Sequence, residues 1–274
     1  MISILLLGSW NILLLIICIG VTILSIIFIL LKKLDKPFNL IYFLGGIWLL
    51  FFTIGSPILA ISYLSFSFHM IQMSFLFFII PPLILLGIPQ RCYDQISPFI
   101  KKTYRFRFQL SPQMALTMFA LFFFLYHLPF ILTIISANPL IQKGYLTILF
   151  LLTFRMWWPI VAPNIAVSDS NEKRKKFIRD SSLYIMPACL MFIIAGFLDG
   201  MSNPFFGQIA THLCLPADGT VEILPSPFNT KYDQISAGVF MLGIHKMVLM
   251  FTNRIGFKMN GTGQKVYQQK KDEK

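Results

Sequence analysis

From Asn11 to Leu31 the chain reads NILLLIICIGVTILSIIFILL, with no charge anywhere in the run. About 20 apolar residues at about 1.5 Å per residue match the thickness of a bilayer core. Inside lipid the backbone N–H and C=O groups have no water to bond, so such a run folds as a helix. Comparable runs recur, and the predicted spans are 10–31, 38–61, 66–88, 112–136, 144–164, 182–199 and 235–253. Only 12% of residues are charged and mean hydropathy is +0.73, against about 25% charged in soluble domains. The expected fold is therefore all-α: a polytopic membrane helix bundle of about seven transmembrane helices. One domain covers 1–254, and a basic tail follows over 255–274.

A net charge of +12 raises nucleic acid as a partner, but the placement of the charge argues against it. The connections after spans 1, 3 and 5, together with the tail, hold 19 of the 23 Lys and Arg residues. Lys143 and Lys231 are the bases of the opposite connections, and Arg155 and Lys246 fall within spans. This asymmetry is a topology signal; it predicts the N-terminus outside and the C-terminus in the cytoplasm, with lipid as the surrounding partner and no nucleic acid. MISILLLGSWN carries no basic n-region, so span 1 is expected to persist rather than to be cleaved. No CxxC, HExxH, P-loop or dinucleotide fingerprint is present, which removes the common hydrolase, NTPase and dehydrogenase readings. Cys18 and Cys189 fall in spans, Cys92 inside and Cys214 outside, so no disulfide framework follows.

Ionisable residues within spans are costly and rare, and each is a candidate for function. Here they are His69, His127, Arg155, His245 and Lys246. Counted from the outer ends of the spans, Met73 lies about 10 Å deep, His127 about 14 Å, Met191 about 12 Å and Met241 about 9 Å. His69 and Gln72 stand just above, and His69 shares a helix face with Met73. Thioethers favour Cu(I) and imidazole accepts most transition metals, so His69, Met73, His127 and Met241 form a candidate metal layer near the outer face. Pro81–Pro82 are expected to bend span 3 and tilt these ligands inward. In the long outer connection 200–234, Cys214, with His212 and Asp218, is a further candidate ligand. Gap-filling methionines and interhelical histidine hydrogen bonds explain the same residues without metal, and the sequence leaves both readings open.

Arg155 needs a partner, and no acid lies at comparable depth. Asp199 and Asp233 at outer helix ends are the nearest acids. Arg155 with Asp199 is the expected helix-locking pair; the alternative is a site for an anion such as a haem propionate or a partner's carboxylate. Lys246 is expected to snorkel toward the cytoplasm.

The ordered segments FHMIQM (68–73), PPLILLGIP (81–89), MWWPIVAP (156–163), LCLPADG (213–219) and DQISAG (233–238) resemble the CtaG family of bacterial cytochrome c oxidase assembly factors. The likeness is to its seven-span Gram-positive branch and runs from span 2 to span 7. It implies a multi-pass protein of the bacterial plasma membrane that matures a haem–copper oxidase of the respiratory chain without catalysis of its own. Its partners would be oxidase subunits or other maturation factors, with Cu(I) delivery as the suspected chemistry. The residues matching family motifs are His69, Met73, Pro81, Pro82, Trp157, Trp158, Pro159, Cys214, Asp233, Gln234 and Gly238. Two departures stand out: Met73 where a second His is common, and Ala237–Gly238 where a glycine pair is usual. Met in place of His favours Cu(I) over Zn or Cu(II).

Two other classes compete. A copper or small-solute transporter needs ligands that continue inward, for which His245 and Met247 are the candidates. A haem- or quinone-binding redox protein needs two histidines at one depth, and the span count puts His69 and His127 about 9 Å apart along the normal.

Overall fold

The computed structural model describes residues 10–32, 38–88, 110–161, 170–198, 203 and 225–272. All regular structure among them is helical: α1 Ile12–Lys32, α2 Phe38–Gly55, α3 Ile58–Ser62, α4 Phe66–Ser74, a π-turn Phe75–Ile79, α5 Ile80–Gly87, α6 Pro112–Tyr126, α7 Pro129–Ser136, α8 Pro139–Val161, α9 Ser170–Phe197 and α10 Lys231–Asp272. Five helical spans are long and apolar enough to cross a membrane: 12–31, 66–87, 139–161, 172–197 and 231–255. A sixth is added if α6 and α7 are taken as one broken span, while Leu40–Gly55 is shorter. The bundle has two ends. At the turn end lie Gly55, Ser65, His127, Pro139, Leu198 and Lys231; at the basic end the first turns of α9 carry Glu172, Lys173 and Arg174.

The helix boundaries follow from local chemistry. Ser65 caps α4 by accepting from Phe68 N at 3.2 Å, and Ser111 caps α6 through Met114 N at 3.1 Å, with Pro112 in the first turn. Asn138 Oδ1 accepts from Leu140 N at 3.0 Å at the start of α8. The basic stretch 172–179 is not a separate element. It forms the first turns of α9, so the helix that contains the span expected at 182–199 starts at Ser170.

The central element is the α4–α5 segment. Some 72% of its span is buried, against 6% for α1, whose apolar side chains face outward. Its two prolines remove two backbone donors, and the helix accommodates them by widening. The bend expected at Pro81–Pro82 takes the form of a π-turn just before them, with Ile80 N bonding back to Phe75 O. The segment still forms one span of 22 residues. Close packing on either side requires glycine. A Cβ on Gly87 would lie 2.3 Å from Phe43 N in α2, and one on Gly238 would lie 2.7 Å from Cys189 O in α9. Arg174 binds α9 to α10 nearer the basic end, with Nε to Asn253 Oδ1 at 3.0 Å and Nη2 to Asn253 O at 2.9 Å.

Candidate functional site

α4 is held at its N-terminus by a carboxylate from another helix. Asp233 is buried, and its Oδ2 accepts from Phe66 N at 2.9 Å while its Oδ1 accepts from Ser67 N at 3.2 Å. Ser67 Oγ returns a bond to Asp233 O at 3.0 Å. An anion against the free N–H groups and positive dipole of a helix start is favourable. Asn229, with φ 56°, donates its backbone N–H to Asp233 Oδ2 at 3.1 Å and its side-chain amide to Leu64 O at 2.7 Å. Asn203 Nδ2 bonds both Tyr63 O and Asn229 Oδ1 at 3.0 Å. Asp233, the first residue of the Asp-Gln motif, thus clamps the start of the helix that carries His69, Gln72 and Met73.

One turn below the clamp, His69 is fully buried with its ring 6.3 Å from Tyr63 and 6.3 Å from Tyr126. The ring of His127, the next residue in the chain, is 5.1 Å from that of Tyr126. His127 Nδ1 lies 2.6 Å from Phe123 O. A carbonyl only accepts, so Nδ1 carries the proton and Nε2 keeps its lone pair. That Nε2 is buried with no hydrogen-bond partner among the described residues.

The position of His127 corrects the depth expected from sequence. The apolar run 112–136 is not one straight helix: α6 stops at Tyr126, and the next helical stretch leaves it at 85°. Pro129 is the cause, because it cannot donate and it forces Leu128 into extended backbone (ψ 130°). His127 therefore sits at the mouth of α6 rather than about 14 Å down a continuous helix. The two imidazoles share one layer around Tyr126, which removes the depth difference weighed against a paired-histidine site.

Met73 and Met241 are both buried in the same core cluster. α4 and α10 run parallel, with Asp233 beside Phe66 and His245 beside Phe78, so Met241 stands level with Met73–Ser74. Gln72 Nε2 donates to Thr53 O at 3.1 Å, and its Oε1 has no hydrogen-bond partner among the described residues. Met191 is half-buried at the edge of the cluster. Beside the layer, Gln142 Nε2 bonds Tyr126 Oη at 3.2 Å, and Tyr145 donates to Phe122 O at 2.7 Å while stacking on Tyr126 at 5.6 Å. Sequence reasoning missed these tyrosines and Gln142.

Beyond the layer toward the basic end the core is aromatic. Phe77, Phe78, Phe119 and Phe123 are fully buried and pack edge to face or stacked at 5.2–6.2 Å. His245 is on the other side of this block, against Phe78 at 4.6 Å, and neither of its nitrogens has a hydrogen-bond partner among the described residues.

Arg155 is half-buried and donates from Nε to Leu110 O at 2.8 Å, where the chain enters α6. Its observed partner is thus a backbone carbonyl at the basic end. Asp199, the partner expected from sequence, lies outside the described residues, as do Cys214, His212 and Asp218. Among the described residues no group of three or more His, Cys, Asp or Glu side chains is placed to hold a metal ion.

Together these features define a membrane helix bundle with a buried imidazole–tyrosine layer near one end and two buried thioethers about one turn beyond it, clamped by a carboxylate and backed by an aromatic block. The chain belongs to the family of cytochrome c oxidase caa3 assembly factors, whose family model matches residues 32–255. α1 precedes nearly all of the matched region. No match was found among curated proteins or among solved structures.

Proposed function

We propose that this chain matures a caa3-type cytochrome c oxidase by holding Cu(I) as cargo in the layer formed by His69, His127, Met73 and Met241, and that it is not itself an enzyme. The family match supports the assembly role. The observation that carries the metal reading is His127: its Nδ1–H is fixed on a backbone carbonyl, which leaves a buried Nε2 lone pair free in the layer that also contains His69. This second-sphere bond is the one that orients histidine ligands in metal sites. Two buried thioethers, Met73 one turn beyond His69 on α4 and Met241 level with it on α10, would favour Cu(I) over Zn or Cu(II). The positive-inside pattern supports the turn end as the outer face, in the bacterial plasma membrane.

The aromatic block supports a one-sided site over a transport path. A cation passing from the His69–His127 layer to His245 would have to cross fully buried phenylalanine rings that offer no donor atoms. The test is genetic and biochemical. Removal of the protein is expected to abolish assembly of the active oxidase while oxidase transcripts stay normal. His69→Ala combined with His127→Ala should reproduce the loss at normal protein levels. Normal oxidase activity in the deletion strain contradicts the assembly role.

A further inference from the structure

Lys246 presents a feature that the copper layer does not use. It lies three residues past the midpoint of the 25-residue span 231–255, about 4.5 Å from the bundle's middle plane by helical rise. Its side chain is on the outer, exposed surface of α10, not in the core. The surface around it is otherwise apolar: Val239, Met247 and Met250 on α10 and Leu183 on α9 are all more than half exposed. Lys246 Nζ donates to Ser182 Oγ, a neutral hydroxyl on the neighbouring helix.

Snorkelling does not remove the charge from hydrocarbon. A lysine stem reaches about 6 Å, and the nearer interface is about 10 Å away from this depth. Side chains on a helix also lean toward its N-terminus, here the turn end, which is the more distant interface. The contact with Ser182 runs sideways between helices at one level, so the expected reach toward the cytoplasm is replaced by a lateral bond. An ammonium held on the lipid-facing surface of a bundle is costly unless another group covers it. Gly243, one turn earlier on the same helix, is exposed and has nothing within 4 Å of a built Cβ, so a second helix can approach closely there.

We infer that the Gly243–Lys246–Met250 face of α10 docks a transmembrane helix of an oxidase subunit that carries an Asp or Glu carboxylate at mid-membrane depth. Charge complementarity selects the occupant. Lipid tails offer Lys246 no acceptor, and a headgroup sits too far away. The inference rests on the assembly role proposed above and names the surface through which it acts.

The test places a photo-crosslinking benzoylphenylalanine at Met247 or Met250 of the full chain, in cells whose oxidase membrane subunits carry epitope tags. The expected result is an adduct with one oxidase subunit. It should fall about tenfold in a Lys246→Met background, the value of one interhelical polar contact, and persist in Lys246→Arg. Copper content should be the same in all three backgrounds, which shows that the variants fold. No subunit adduct, adducts only with phospholipid or with a second copy of this chain, or an adduct indifferent to Lys246→Met each overturn the inference. If the deletion strain lacks oxidase activity while Lys246→Met is indifferent, only the docking face is refuted. If the deletion strain has normal activity, the assembly reading itself is refuted.

Discussion

Trp157 donates its indole N–H to the carbonyl oxygen of Phe77 at 3.0 Å, and Phe77 is the residue four before Pro81. In α-helical register the missing N–H of Pro81 would have served that carbonyl. The Pro-Pro and Trp-Trp motifs, 80 residues apart, are therefore two halves of one device: the first opens the backbone and the second closes it from α8. Trp157→Phe keeps the ring volume but leaves the buried carbonyl without a donor, at a cost of about 1–3 kcal/mol. The expected outcome is a lower Tm in detergent. The loss should shrink when Pro81→Ala is added, because the helix then supplies its own donor. Equal losses in the single and double variants contradict the pairing.

Asp233 gives a second prediction. Its carboxylate receives three backbone N–H groups, from Phe66, Ser67 and Asn229. Asp233→Ala strands them and is expected to destabilise the protein by about 1–3 kcal/mol. Asp233→Asn retains one acceptor oxygen and should cost less. Hydrogen exchange at the Phe66 and Ser67 amides is the specific readout, and it should accelerate in Asp233→Ala. Unchanged exchange there means that the clamp does not hold α4.

The glycines separate packing from composition. Gly87→Ala drives a methyl to 2.3 Å from Phe43 N, whereas Gly144→Ala meets nothing within 4 Å. Gly87→Ala is expected to cost about 1–3 kcal/mol through forced separation of α2 and α5. Gly144→Ala is expected to be neutral or slightly stabilising by helix propensity. Paired thermal unfolding curves in the same detergent decide this; similar Tm values for the two variants contradict the close approach.

His245 distinguishes the assembly reading from transport. Its two nitrogens are buried without hydrogen-bond partners among the described residues, against Phe78. Replacing both polar atoms with an apolar ring of similar size removes an unmet requirement. His245→Phe is expected to raise Tm or leave it unchanged, with oxidase maturation intact. Loss of maturation at normal protein level points to a station on a path through the membrane.

The sequence made the bundle visible because apolar length alone demands helices in lipid; of the seven expected spans, five contain helices long enough to cross a membrane, a sixth is the bent pair α6–α7, and the helix Leu40–Gly55 in the region expected at 38–61 is shorter. It hid the breaks. The run 112–136 carries no Asp, Glu, Lys or Arg, and the signal that divides it is a single residue, Pro129, whose effect on Leu128 moves His127 to the end of a helix. It also hid partners that are backbone atoms: nothing in the residue types shows that Arg155 finds Leu110 O or that Trp157 finds Phe77 O. Tyr126 and Tyr145 read as ordinary membrane aromatics until Gln142 and the Phe122 carbonyl show them bonded inside the bundle. Asp233 was legible as important, but its role as a cap depends on a helix start far away in the chain.

The proposal that the layer around Tyr126 holds Cu(I) stands or falls on metal binding. Its most direct test is Cu(I) titration of the detergent-purified protein under reducing conditions against a competing colorimetric chelator, comparing the wild type with His69→Ala/Met73→Leu and with His127→Ala. About one equivalent of tightly held Cu(I) is expected in the wild type, in keeping with a single site, with its loss in both variants. Equal copper retention in all three proteins would contradict it.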